Sequence, residues 1–300
     1  ACVILAVILA LVALEKVSRR RSRFYGMARS DRVPPVVRLH GRMAWAVTAA
    51  CTFPVLAGFV LPVAVLAHHG LTRPERWLAP GLGQALANTV FVGGAAAVLT
   101  VLASLFVVYG ARLTNRELPR LLLPVTTIGY AAPGAVLAVG LLIPLAAFDN
   151  AVADAVLAVT GSDPGLMLTG GAAVLIYAYA VRFFAIAEGA ADVAMGRVSP
   201  NLPLAARTLG QTPGGVLRRI YAPLIRGSVA TALLLVFVDC VKELPATLLL
   251  RPFNFNTLAT RAHEQATLEK IADAAPSAIL IIGVSLSAVA LVARQMLRAR

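Results

Sequence analysis

Three charged residues stand where charge is costly: Asp239, Lys242 and Glu243 fall inside the apolar run 227–249. At the centre of a bilayer each costs about 2.5–3.5 kcal/mol on insertion scales, so idle ones would be readily lost. Asp239 and Lys242 are spaced i, i+3, which puts them on one helix face and lets them pair. Glu243 lies i, i+4 from Asp239, so the patch carries a net charge of −1 when all three ionise. Two readings fit. A polar stripe along a translocation path would attract a hydrated cation, whereas a structural ion pair would hold this helix against a partner. Glu243 has no partner within its own helix. Arg182, in the apolar run 168–187, is a candidate, but its expected behaviour is to snorkel to the membrane interface. Pro245 lacks a backbone donor and predicts a bend or an end to the helix just beyond.

The second concentration of chemistry is the stretch 197–226, RVSPNLPLAARTLGQTPGGVLRRIYAPLIR, with Arg197, Arg207, Arg218, Arg219 and Arg226. Leu202 to Leu209 reads as one short amphipathic helix, Gly210 to Gly215 as a break, and Val216 to Tyr221 as a second helix. Gly210 tolerates positive φ after a helix, and Thr212-Pro213 reads as a cap followed by proline at the first helical position. A helix–elbow–helix outside the bilayer is a shape suited to a groove on another protein.

Other candidates are weaker. His68 and His69 are adjacent, so on a helix they point about 100° apart, and no third ligand stands at metal-binding spacing; no metal site is expected. Cys2, Cys51 and Cys240 have no pairing or ligand spacing and read as buried packing residues. No phosphate-binding glycine loop, nucleophile elbow or paired histidine motif occurs. The chain therefore reads as a non-enzymatic protein that moves or anchors something, with no catalytic residue and no cofactor.

The elements that must position these residues are membrane helices. Of the 300 residues 59% are hydrophobic and 14% charged, with mean hydropathy +0.82; soluble domains hold about 45–50% and about 25%. A span needs roughly 20 apolar residues, which places segments at 1–14, 43–67, 85–110, 121–148, 168–187, 227–249 and 277–293. The first begins abruptly and reads as the end of a helix whose start is missing, so the sequence reads as a fragment. The stretch Ala151 to Val159, within the loop 149–167, is too short to span and reads as a surface helix or cap. Loops 15–42, 111–120, 188–226 and the tail 294–300 hold 20 Lys or Arg, against five in the opposite loops. The positive-inside rule then puts 197–226 and the basic linker 15–42 in the cytoplasm. The formal charge of +13 is membrane topology, with no role for nucleic acid.

The elbow resembles the "EAA" loop of ABC-importer permeases: Glu-Ala-Ala, three residues, Gly, nine residues, Ile, one residue, Leu-Pro. Ala205, Ala206, Gly210, Ile220 and Pro223 stand at those positions, with Leu204 in place of the glutamate and Ala222 in place of the leucine. Arg197-Val-Ser-Pro200 and the run Asp239 to Phe253 are similar to the second half of fused ferric-iron permeases. The resemblance implies an all-α polytopic bundle with the type I ABC-importer fold, six full spans and one truncated. It implies a truncated helix at 1–14, a cytoplasmic linker at 15–42 and a permease domain over 43–300. Ala205, Ala206, Arg207, Gly210, Ile220 and Pro223 would couple to a dimer of cytoplasmic ATPase subunits, Ile220 and Pro223 packing the second helix back on the bundle. Asp239, Lys242 and Glu243 are the path candidates. Further implied partners are an extracytoplasmic solute-binding protein, a second permease half and the lipid of an inner membrane. The implied cargo is ferric iron, with thiamine, polyamine or oxyanion as alternatives; an ion-gradient-driven transporter or a membrane scaffold are the rivals from other classes.

Overall fold

The computed structural model describes residues 40–114, 126, 128–166 and 168–298. The span at 1–14 and most of the linker 15–42 lie outside them. The chain divides into two compact units, Ala1–Pro74 and Glu75–Arg300. In the first, α1 (Gly41–Thr72) is one long apolar helix with a π turn at Leu56–Val60. Its side chains are largely exposed, Cys51 included, so Cys51 is not the packing residue expected. A helix that is apolar all round needs lipid or protein on every side.

The second unit holds α2 (Leu82–Thr114), the short α3 (Ile128–Ala131), α4 (Gly134–Thr160), α5 (Ala172–Gly196), α6 (Asn201–Thr208), α7 (Pro213–Val241), α8 (Pro245–Leu250), α9 (Leu258–Thr267) and α10 (Ile271–Arg298). Among the described residues, six helices are long and apolar enough to cross a membrane: α1, α2, α4, α5, α7 and α10. No strand occurs among the described residues. The molecule is a multi-pass membrane helix bundle.

The core is built where α2, α5 and α7 meet, from Val92, Ala96, Leu175, Ala178, Tyr179, Ala232 and Val236, with Ala138, Ala246 and Leu250 joining from α4 and α8. Alanine at so many contacts lets helix backbones approach closely, which matters in lipid because apolar burial alone does not drive helices together. A second cluster at the elbow end joins Val108 and Tyr109 to Ala194, Met195, Val216 and Ile225.

Two expectations on the spans are corrected. Ala151 to Val159 forms no separate surface helix: it is the last third of α4, which runs unbroken to Thr160 and closes on Gly161 at φ 71°. Asp149, read as a boundary, is buried in mid-helix and accepts hydrogen bonds from the Leu168 and Thr169 amides and the Thr169 hydroxyl at 2.7–3.1 Å. The expected span 227–249 is likewise interrupted, since α7 ends at Val241 and α8 restarts with Pro245 as its first residue. The break precedes the proline because Pro suits a first helical turn, where its missing N–H would be unpaired anyway.

Candidate functional site

Two places concentrate function-grade chemistry. The first lies inside the bundle, where two interrupted helices face α5. Arg182 is ten residues from the start of α5 and fourteen from its end, so it sits near mid-span, roughly 15–20 Å from either end at 1.5 Å per residue. That is too deep to reach an interface, and the snorkelling expected of it does not occur. Its Nε lies 3.0 Å from Glu243 Oε2, an ion-pair contact without hydrogen-bond geometry, and its Nη1 donates to the Ala132 carbonyl at 2.9 Å. Glu243 is 7% exposed. It sits in the gap between α7 and α8, its Oε1 accepting from the Ala246 amide at 3.2 Å while its carbonyl accepts from Thr247 at 2.7 Å. Thr247 in turn bonds the hydroxyl of Tyr179. Ala132 is the carbonyl left over where α3 stops before Pro133. One guanidinium thus serves both a broken helix end and the carboxylate that fills the other break.

Gly134 presses on this arrangement: a Cβ there would lie 2.7 Å from Glu243 Oε1 and 3.1 Å from Arg182 Nη1. Interrupted backbone at membrane depth is tolerated only where protein or a water-filled cavity satisfies it. Asp239 and Lys242 form the i, i+3 pair anticipated, at 2.5 Å, with Lys242 63% exposed. The three charges therefore separate: Glu243 turns inward to α5, while Asp239 pairs with the exposed Lys242. Among the described residues no three His, Cys, Asp or Glu side chains gather as a metal site.

The second place is the elbow. α6 ends at Thr208, and Gly210 at φ 78° turns the chain as its glycine requires. The Thr212 hydroxyl caps the next helix by accepting from the Gly215 amide at 3.2 Å. That next helix is not the separate Val216 to Tyr221 segment expected. It starts at Pro213 and continues through a π turn at Leu217–Tyr221 into the membrane span. Arg219 donates to Gln211 at 3.1 Å across the bend, and Tyr109 of α2 donates to the Pro213 carbonyl at 2.5 Å. Ala206 is buried against the bundle, Ile220 is half-buried, and Ala205, Arg207, Gly210 and Pro223 are exposed. Pro223 thus does not pack back on the bundle as expected. On the outer side of α6, Leu202, Ala205 and Leu209 form an exposed apolar stripe, with Leu209 81% exposed. Sequence reading missed this stripe, although its i, i+3, i+7 spacing was there to find.

The fold is similar to that of membrane-spanning chains in solved ABC transporters. A bacterial alginate ABC transporter solved in complex with an alginate-pentasaccharide-bound periplasmic protein matches at TM-score 0.64 with 14% identity, covering 84% of this chain and 92% of the other. The inward-facing MetNI methionine ABC transporter matches at TM-score 0.51 with 18% identity, over 74% of this chain and 98% of that one. In sequence, the chain is similar to the Fe(3+)-transport system permease protein FbpB 2 of Haemophilus influenzae (strain ATCC 51907 / DSM 11121 / KW20 / Rd), 26% identical over 198 residues. That match spans 66% of this chain and 36% of the relative's length. No protein-family profile matches.

Proposed function

We propose that the chain is one permease half of an ATP-driven importer of the inner membrane, coupled to separate ATPase subunits through α6 and the Gly210 elbow. The observation that carries this reading is the elbow itself: a capped, glycine-turned bend, pinned to the bundle by Tyr109 and Ala206, that leaves Leu202, Ala205 and Leu209 uncovered. Such a stripe on a short rigid helix is a helix-in-groove ligand. An ATPase dimer closing on ATP would push α6, and α7 would carry the push into the membrane because it begins at the elbow and runs without a joint to Val241.

Ferric iron is the proposed cargo, supported by the similarity to a ferric-iron permease. Asp239 and Lys242 are the proposed path-facing pair. Glu243 is proposed as a fixed structural charge, held between Arg182 and the Ala246 amide, rather than as an ion-binding group of the path. A second permease half would complete the path, and a solute-binding protein would deliver cargo at the end opposite the elbow.

The test is co-purification of the full-length permease with its ATPase, with and without Gly210→Pro. Proline cannot adopt the φ of 78° found at Gly210. Loss of the complex, with the permease still folded, is the expected result; equal recovery would remove the docking role.

A further inference from the structure

A cavity of about 450 Å³ lies between the bundle-side flank of α6, the last turn of α2 and the start of α7. Its polar wall is one-signed: Arg112, Arg207, Tyr109 and Tyr221 line it, and no lining residue is acidic. Tyr109 and Tyr221 stack edge-on with centroids 5.6 Å apart. Arg112 is already held, donating to the Asp192 carboxylate at 2.7 Å and to its carbonyl at 2.9 Å. Arg207 has no hydrogen-bond or ion-pair partner among the described residues, so one net positive charge remains at the cavity. The other walls, Leu204 and Val198 among them, are mostly apolar.

Leu204 is the key. It stands i, i+3 to Arg207, the place from which a carboxylate on the same helix would be in ion-pairing reach. Leucine withholds the internal partner and leaves a free guanidinium facing a cavity. The cavity lies on the side of α6 away from the Leu202, Ala205 and Leu209 stripe, since Leu204 and Arg207 are about 150° around the helix from the stripe's centre.

We propose that this cavity binds a phosphate group, supplied by an anionic lipid headgroup or by free phosphate, that pairs with Arg207 and braces the elbow. A guanidinium fork matches phosphate oxygens bidentately, and the Tyr221 hydroxyl can donate to the same oxygens, that of Tyr109 being already given to the Pro213 carbonyl. The volume suits a small ligand, and the cavity lies where α2 and α7 leave their apolar spans, at headgroup level. The inference needs the elbow at the cytosolic membrane surface but not ATPase docking, so either can fail without the other.

Native mass spectrometry of the full-length permease in detergent, with phosphatidylglycerol, phosphatidylcholine or inorganic phosphate as probe, tests it. Wild type should bind phosphatidylglycerol at least tenfold more tightly than phosphatidylcholine. Arg207→Lys should keep most of that preference; Arg207→Gln and Leu204→Glu should lose it, with unchanged thermal unfolding showing the fold intact. Retention of the lipid against millimolar phosphate assigns the site to headgroups, and displacement assigns it to free phosphate. Equal binding of the two lipids with no phosphate adduct, wild-type preference in Leu204→Glu, or complete loss of the bound anion on adding the ATPase would overturn the proposal. The last outcome would make the cavity a protein contact.

Discussion

Two of the helix breaks among the described residues are built by opposite means. At the elbow, α6 stops and α7 starts in polar surroundings: a glycine supplies the positive φ, a threonine caps the new helix, and the bend is otherwise exposed. Between α7 and α8 the break is buried. A glutamate fills the gap, an arginine from α5 neutralises it, and that same arginine binds the end of a second broken helix at Ala132. Water can satisfy stray backbone groups at the first break but not at the second. An exposed hinge therefore needs only local residues, whereas a hinge inside the membrane needs charges from distant parts of the sequence.

That contrast makes the buried break the more fragile one. Glu243→Ala leaves Arg182 charged and unpaired in the bundle, and losing one member of a buried pair costs about 3–5 kcal/mol. A large fall in thermal stability in detergent is expected, while Arg182→Met combined with Glu243→Leu should cost less than either single change. Additive losses in the double variant would show that the two residues are not coupled. Gly134→Ala is expected to come next, at roughly 1–3 kcal/mol, because the new methyl would have to displace the Glu243 carboxylate; wild-type stability would show that the close approach is not real. The elbow should be milder. Thr212→Ala removes one cap and should cost about 1 kcal/mol, read as a small shift in unfolding midpoint; a loss as large as that of Glu243→Ala would abolish the distinction between the breaks.

What was legible in the sequence follows the same division. Spans were readable because twenty apolar residues in a row have few alternatives, and the elbow because Gly210 and Thr212-Pro213 are local punctuation. The Asp239–Lys242 pair was readable from its i, i+3 spacing. The Arg182–Glu243 pair was only a candidate set behind snorkelling, since 61 residues separate its members and only the packing of α5 against α7 and α8 brings them together. The length of α4 was misjudged because Asp149 looks like a boundary. It is in fact buried and bound to the Leu168–Thr169 backbone. The apolar side of α6 was overshadowed by its alanines, which the coupling signature brings forward.

The coupling role of α6 is tested most directly by one cysteine. In a full-length protein with Cys2, Cys51 and Cys240 replaced, Leu209→Cys would be treated with a membrane-impermeant maleimide in inside-out and right-side-out vesicles, with and without the ATPase. Labelling is expected only in inside-out vesicles, and the ATPase should suppress it. Labelling from the outer side, or labelling at the same rate with the ATPase bound, would contradict a cytosolic helix that docks through its Leu202, Ala205 and Leu209 stripe.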